Sequence, residues 1–155
     1  MENVLPTRKK NRLPFFDYSE SGGYFITICT HKKACILSRI DPKPPTVRLT
    51  AAGEAVDTAI CEIPDRYSGV FIENRVIMPN HVHILFRIER GKNGAAIPRI
   101  IQQLKSSVTK ALGTTVWQKG FYDHVIRNAD DFMVKYVYID ENPAKWLLRR
   151  DEYCE

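Results

Sequence analysis

Two apolar runs joined by a two-residue turn restrict the fold of this chain more than any other feature. Residues 70–78 and the run His81-Val-His-Ile-Leu-Phe86 are rich in β-branched and aromatic side chains. Only Pro79 and Asn80 separate them. A parallel return needs a crossover on the order of a dozen residues, so the two strands must pair antiparallel. Strand side chains alternate, which sends Val82, Ile84 and Phe86 into a core and His81 and His83 together to the opposite face. Two imidazoles held side by side can serve one divalent metal. On spacing alone, such a pair is more often only polar surface on a half-buried strand.

The flanking segments extend this pair into a recognisable plan. Tyr24 to Thr30 reads as a strand. From Thr50, a plausible N-cap with Glu54 beyond it, apolar residues Ala52, Ala55, Val56, Ala59, Ile60 and Ile63 recur at helical spacing until Pro64 ends the helix. Pro42, Pro44 and Pro45 mark an irregular loop between these elements. A second amphipathic helix carries Ile97, Ile100, Ile101, Leu104, Val108, Ala111 and Leu112, and a last strand covers about Phe121 to Arg127. The order is βαββαβ, that of a ferredoxin-like α+β fold: an antiparallel sheet with both helices on one face and the other face open to a ligand. One further helix follows, capped by Asn128 with Asp131 three residues on, running over Phe132 to Glu141 and ending or kinking before Pro143. At 155 residues the chain is expected to form a single domain, with residues 1–22 a basic, extended arm.

Composition adds a partner class. The net charge of +5 favours an anionic partner, most commonly nucleic acid, and Arg8, Lys9, Lys10 and Arg12 in the arm suit a phosphate backbone, a solvated tail being the alternative. No apolar run reaches the roughly 20 residues of a membrane span, and the polar N-terminal stretch lacks a signal-peptide core, so the cytoplasm is the expected location and no membrane partner is expected. Cys29, Cys35, Cys61 and Cys154 form no Cys-x-x-Cys pair and are expected to be reduced thiols.

The C-terminal helix supplies the remaining chemistry. Phe132, Tyr136 and Ile139 form an apolar stripe, whereas Tyr138 lies about 200° from Tyr136 and points elsewhere. Asn142, four residues on, shares the face of Tyr138 if the helix continues, and Lys135 lies near it. Two imidazoles, an amide oxygen and a phenol suit phosphoryl transfer on a nucleic acid: a divalent ion held by His81, His83 and Asn142 polarises a phosphate, and Tyr138 attacks phosphorus. A free phenol ionises only near pH 10, so metal and lysine charge are expected to assist it. An exposed surface tyrosine is the alternative.

These residues sit within blocks that make the chain resemble the REP-associated tyrosine transposases, a branch of the single-tyrosine HUH transposases of small bacterial insertion sequences. The blocks are Arg12-Leu-Pro-Phe-Phe-Asp-Tyr-Ser19 with Tyr24–Thr30, Val76-Ile-Met-Pro-Asn-His-Val-His83, Lys105-Ser106 with Val108-Thr109-Lys110, Trp117-Gln118, Phe121-Tyr-Asp-His-Val-Ile-Arg127 and Tyr138-Ile-Asp-Glu-Asn-Pro143. The resemblance implies that His81 and His83 are the HUH metal ligands, that Asn142 completes the site, and that Tyr138, four residues before the Asn of Asn-Pro, is the nucleophile. It implies a metal-dependent transesterase, using Mg²⁺ or Mn²⁺, that cuts single-stranded DNA beside a hairpin through a 5′-phosphotyrosine and rejoins it without ATP. Lys105, Lys110 and Arg127 join the arm as expected DNA contacts. A homodimer is expected, with a monomer as the other state, and in some relatives the tyrosine helix serves the partner's histidines. Asp140 and Glu141 are expected near the site, joining the metal or repelling DNA. The rival readings are a hairpin-binding module without cleavage and a phosphodiesterase that uses water.

Overall fold

The structure is a computed structural model and describes residues 22–89 and 97–153. Strand β1 (Gly22–Cys29) is followed by a tight turn at His31–Lys33 and a hairpin of β2 (Ser38–Pro42) and β3 (Pro45–Leu49). Helices α1 (Ala51–Cys61) and α2 (Ile63–Arg66) lead to β4 (Val70–Ile77) and β5 (His81–Ile88). Helix α3 (Ile97–Leu112), strand β6 (Tyr122–Val125) and helix α4 (Ala129–Tyr153) complete the described chain. The arm residues Arg8, Lys9, Lys10 and Arg12 lie outside the described residues.

The main sheet has the order β4-β5-β1-β6, all neighbours antiparallel. This is the expected βαββαβ arrangement, with the first strand central and the last at an edge. Ile26 and Ile28 of β1 and Val82, Ile84 and Phe86 of β5 bury one sheet face against Val56 and Ile60 of α1 and Ile100, Ile101, Leu104 and Val108 of α3. Burial of those β-branched and leucine side chains is the main force holding helices to sheet. Thr50 caps α1 as its position suggests, its hydroxyl accepting the Gly53 N–H at 3.1 Å.

Five expectations are corrected. The other sheet face is not open: α4 crosses it, and Phe25, Val76, Met78, Leu85, Ile126, Ile139 and Trp146 form a second core there, with Phe132 and Tyr136 packed against it. The proline-containing segment 38–49 is a hairpin rather than an irregular loop, its Ile40 and Val47 packing on this second core. Alternation of Ile40 and Val47 with polar neighbours compensates for prolines that sit only at the turn-side strand ends. Pro64 does not end a helix but opens α2, where a first-turn proline costs no hydrogen bond. Pro143 does not end α4, which continues to Tyr153 and gains the burial of Trp146. Finally, Cys35 is disulfide-bonded, while Cys29 and Cys61 are free thiols.

A bulge in β4 decides how α4 is held. Ile72 pairs with Phe86 but Asn74 pairs with Leu85, leaving Glu73 as the extra residue. Val70 and Ile72 therefore face the α1–α3 side, whereas Val76 faces α4. Asn74, on the re-aimed stretch, donates its amide to the Tyr136 carbonyl at 3.1 Å and to Asp140 Oδ1 at 3.0 Å.

Candidate active site

A cleft of about 390 Å³ opens where α4 crosses the sheet. Its floor is Thr27 and Cys29 of β1 with His81 and His83 of β5, one wall is α4, and the other is β6. Period-two alternation puts both histidines on this floor, with ring centroids 4.7 Å apart.

Each imidazole is oriented by one polar neighbour. Asn80 Oδ1 lies 2.7 Å from His81 Nδ1, and the Asn80 amide faces the Lys33 carbonyl at 3.4 Å, so the oxygen end meets the ring and accepts from Nδ1–H. Thr27 Oγ1 lies 2.9 Å from His83 Nδ1. His83 is only 5% exposed, and its Nε2 is buried without a hydrogen-bond partner among the described residues. Burial pushes His81 down to about 4, the side chain of Asn142 partly offsetting it and Lys33 adding to it. Burial, then the neighbouring charges of His81 and Lys135, push His83 down to about 3. Both rings are thus neutral at pH 7 and keep lone pairs to give.

Helix α4 adds the other groups. Asn142 is buried and donates Nδ2–H to the Tyr138 carbonyl at 2.9 Å, leaving its oxygen to face His81. Tyr138 is 38% exposed, its ring 5.4 Å from that of His83 and 5.9 Å from that of Phe25. A phenol, an amide and two imidazoles converge, as the helical-face geometry of Tyr138 and Asn142 requires. The donor set fits a divalent cation: neutral imidazoles with ordered Nδ1 partners, one orphaned Nε2, and an amide oxygen beside the second ring. Among the described residues no group of three or more His, Cys, Asp or Glu could hold a metal, and beside the two imidazoles the cleft offers the Asn142 side chain as a further donor.

The remaining expected residues divide. Lys135 stands over the Phe25 ring at 5.3 Å and does not line the cleft; Lys145 does, with Nζ 5.1 Å from the centre of the Tyr138 ring. Asp140 is engaged by Asn74, and Glu141 pairs with Lys145 at 3.7 Å, so neither carboxylate lines the cleft. Lys105 donates to the carbonyls of Gln118 and Gly120 at 2.9 and 2.6 Å, tying down the turn before β6. Lys110 is exposed on α3, and Arg127 lines a separate apolar groove at the start of α4. Sequence reasoning missed Thr27, Asn80, Lys33, Lys145 and Tyr122. Lys145 lies seven residues from Tyr138 and so on its helical face, a relation that holds only because α4 continues past Pro143.

Lys33 reaches the rim from a strained turn. Lys32 and Lys33 both have φ of 54°, left-handed geometry that costs L-residues energy. Thr30 holds the turn, its hydroxyl contacting the carbonyls of Ala34 at 2.8 Å and Asn80 at 3.1 Å and its carbonyl accepting the Lys33 N–H at 3.1 Å.

No family model matches the chain. It is similar to an uncharacterised protein of Haemophilus influenzae, 31% identical over 163 residues that span 90% of this chain and 89% of the relative. It is also 33% identical to the REP-associated tyrosine transposase of Escherichia coli over 83 residues, 50% of this chain and 48% of the relative. Among solved structures, a REP-associated tyrosine transposase bound to a REP hairpin superposes with a TM-score of 0.65 at 23% identity, over 86% of this chain and 74% of that one. At that identity the superposition establishes the fold.

Proposed function

The chain belongs to the family of the REP-associated tyrosine transposases, and on that premise we propose that it is a single-strand DNA transesterase that nicks and rejoins a hairpin-containing repeat element. The observation that carries the reading is the convergence of Tyr138 on His81, His83 and Asn142 in one cleft. The relative solved with a REP hairpin supports a DNA hairpin as the partner.

In the proposed reaction the Tyr138 Oη attacks the scissile phosphorus. The new bond is Oη–P, the broken bond is P–O3′, and the products are a 5′-phosphotyrosine and a strand ending in a 3′-hydroxyl. The phenol proton leaves as the bond forms, and a proton is returned to the departing 3′-oxygen. Attack by a second 3′-hydroxyl reverses the step and restores tyrosine. Because phosphoester count is conserved, no nucleotide cofactor is consumed. Mg²⁺ or Mn²⁺ bound by His81, His83 and Asn142 would supply Lewis-acid stabilisation of the phosphate oxygens. Asn80 and Thr27 hold the imidazoles in orientation, and Asn142 ties that orientation to the helix turn bearing Tyr138. The ammonium of Lys145 beside the phenol ring and Lys33 on the rim favour the anionic strand and the charge that develops on oxygen.

Incubation with a single-stranded hairpin oligonucleotide and Mn²⁺ is expected to give a covalent protein–DNA species that Tyr138→Phe abolishes. Peptide mapping should find the nucleotide on Tyr138. Undiminished adduct in that variant would refute the assignment, and nicking without adduct would indicate water as nucleophile.

A further inference from the structure

The wall of the cleft facing α4 carries a second tyrosine that the reaction does not use. Thr27 pairs with His83 on one side and with Tyr122 on the other, so the three residues form one row across β5, β1 and β6. Residues in register share a sheet face, which puts Tyr122 on the floor side with His83. At about 4.8 Å per strand spacing, the two lie roughly 10 Å apart. Tyr122 lines the cleft and is 64% exposed. Its next neighbour on that face, His124, is instead tied to Asp131 at 2.8 Å.

A tyrosine ring is ordinarily a source of burial energy, and here most of it is left in water, in a cleft that Lys33 and Lys145 also line. Cations that track phosphates, together with an exposed aromatic face, are the two parts of a surface for unpaired nucleic acid. The phosphate finds its partners on the imidazole and lysine side of the cleft, and the π-face of a base finds its partner on the other. We infer that Tyr122 is a stacking platform for an unpaired nucleobase next to the scissile phosphate, a positioning residue that fixes the strand across the cleft from Tyr138. The inference rests on the reading of the cleft as a single-strand DNA site. Every base has a π-face, so the platform sets the path of the strand and does not select its sequence.

The test uses the full chain carrying Tyr138→Phe, so that no strand is cut, and hairpin oligonucleotides with and without a single-stranded flank. 2-Aminopurine is placed at successive flank positions. The parent protein should quench the probe at one or two adjacent positions. Adding Tyr122→Ala should release that quench and weaken binding of the flanked hairpin on the order of tenfold, leaving the flankless hairpin bound as before. Tyr122→Phe should keep both quench and affinity, since the ring and not the hydroxyl does the stacking. Thermal unfolding of each variant confirms that the sheet edge is intact, and a Tyr122→Trp variant supplies a second reading should the alanine protein unfold. Quench and affinity unchanged in Tyr122→Ala, or lost in Tyr122→Phe and Tyr122→Trp alike, would overturn the inference and leave the cleft reading standing. Failure of the parent to bind either oligonucleotide would overturn the cleft reading and the inference with it.

Discussion

His81 and His83 show how far alternation alone can be read. The period of two placed them on one face opposite Val82, Ile84 and Phe86, and they are there. It did not show that the face is buried, because the covering residues Ile139 and Trp146 come from the far end of the chain. Nor did it reveal Thr27, which reaches the His83 ring from 56 residues away, or that the side chain of Asn80 turns onto the ring next to it in sequence. Burial has a measurable consequence for stability. In the unfolded chain both histidines titrate near 6.5, whereas in the folded one they do so at about 4 and about 3. Stability is therefore complete above the unfolded value and is lost as the pH falls below about 6.5, because the unfolded state then binds protons that the folded state refuses. In a chelating buffer the unfolding free energy read from urea titration should fall between pH 7 and pH 5 by about 2 kcal/mol per pH unit for the two imidazoles together. Replacing both histidines with glutamine should flatten that slope. A midpoint equal at the two pH values would show the imidazoles to be solvated.

The elements of the main sheet were legible because their apolar periods are long and their turns short, α3 above all, whose bounds match the run Ile97 to Leu112. The less legible parts are those where a local rule yields to packing. Alternation breaks in the middle of β4, where the extra residue Glu73 turns Asn74 from the face of Ile72 to that of α4. Pro143 has no N–H to give to the carbonyl of Ile139, yet burial of Trp146 one turn later holds the helix together. Both irregularities act on α4, and Asn74 bridges the turns on either side of Tyr138. Asn74→Ala should lower the rate of adduct formation about tenfold while costing about 1 kcal/mol in stability. The rate is read in single-turnover gels and the stability by urea titration. A rate unchanged despite lost stability would show that the helix is positioned without this clamp.

At the scale of the molecule, Tyr138 lies beside the His83 of the same chain, on a helix held there by the core that α4 shares with β1 and β5. A mixture of Tyr138→Phe protein with His81→Ala/His83→Ala protein is accordingly expected to form no more adduct than either alone. Restored activity on mixing would mean that the helices exchange between copies in solution. The family resemblance left that alternative open, and no spacing in the sequence distinguishes a helix that returns to its own sheet from one that crosses to another. The left-handed turn at Lys32 and Lys33 bears on how such a protein responds to selection for heat resistance. Glycine at either position relieves the same backbone cost. The exchange at Lys32 leaves the cleft lining as it is, whereas at Lys33 it removes a cation from the rim. Two neighbouring sites, alike in what they cost the fold, thus separate durability from the charge of the cleft, and a screen that scores only survival on heating would draw no line between them.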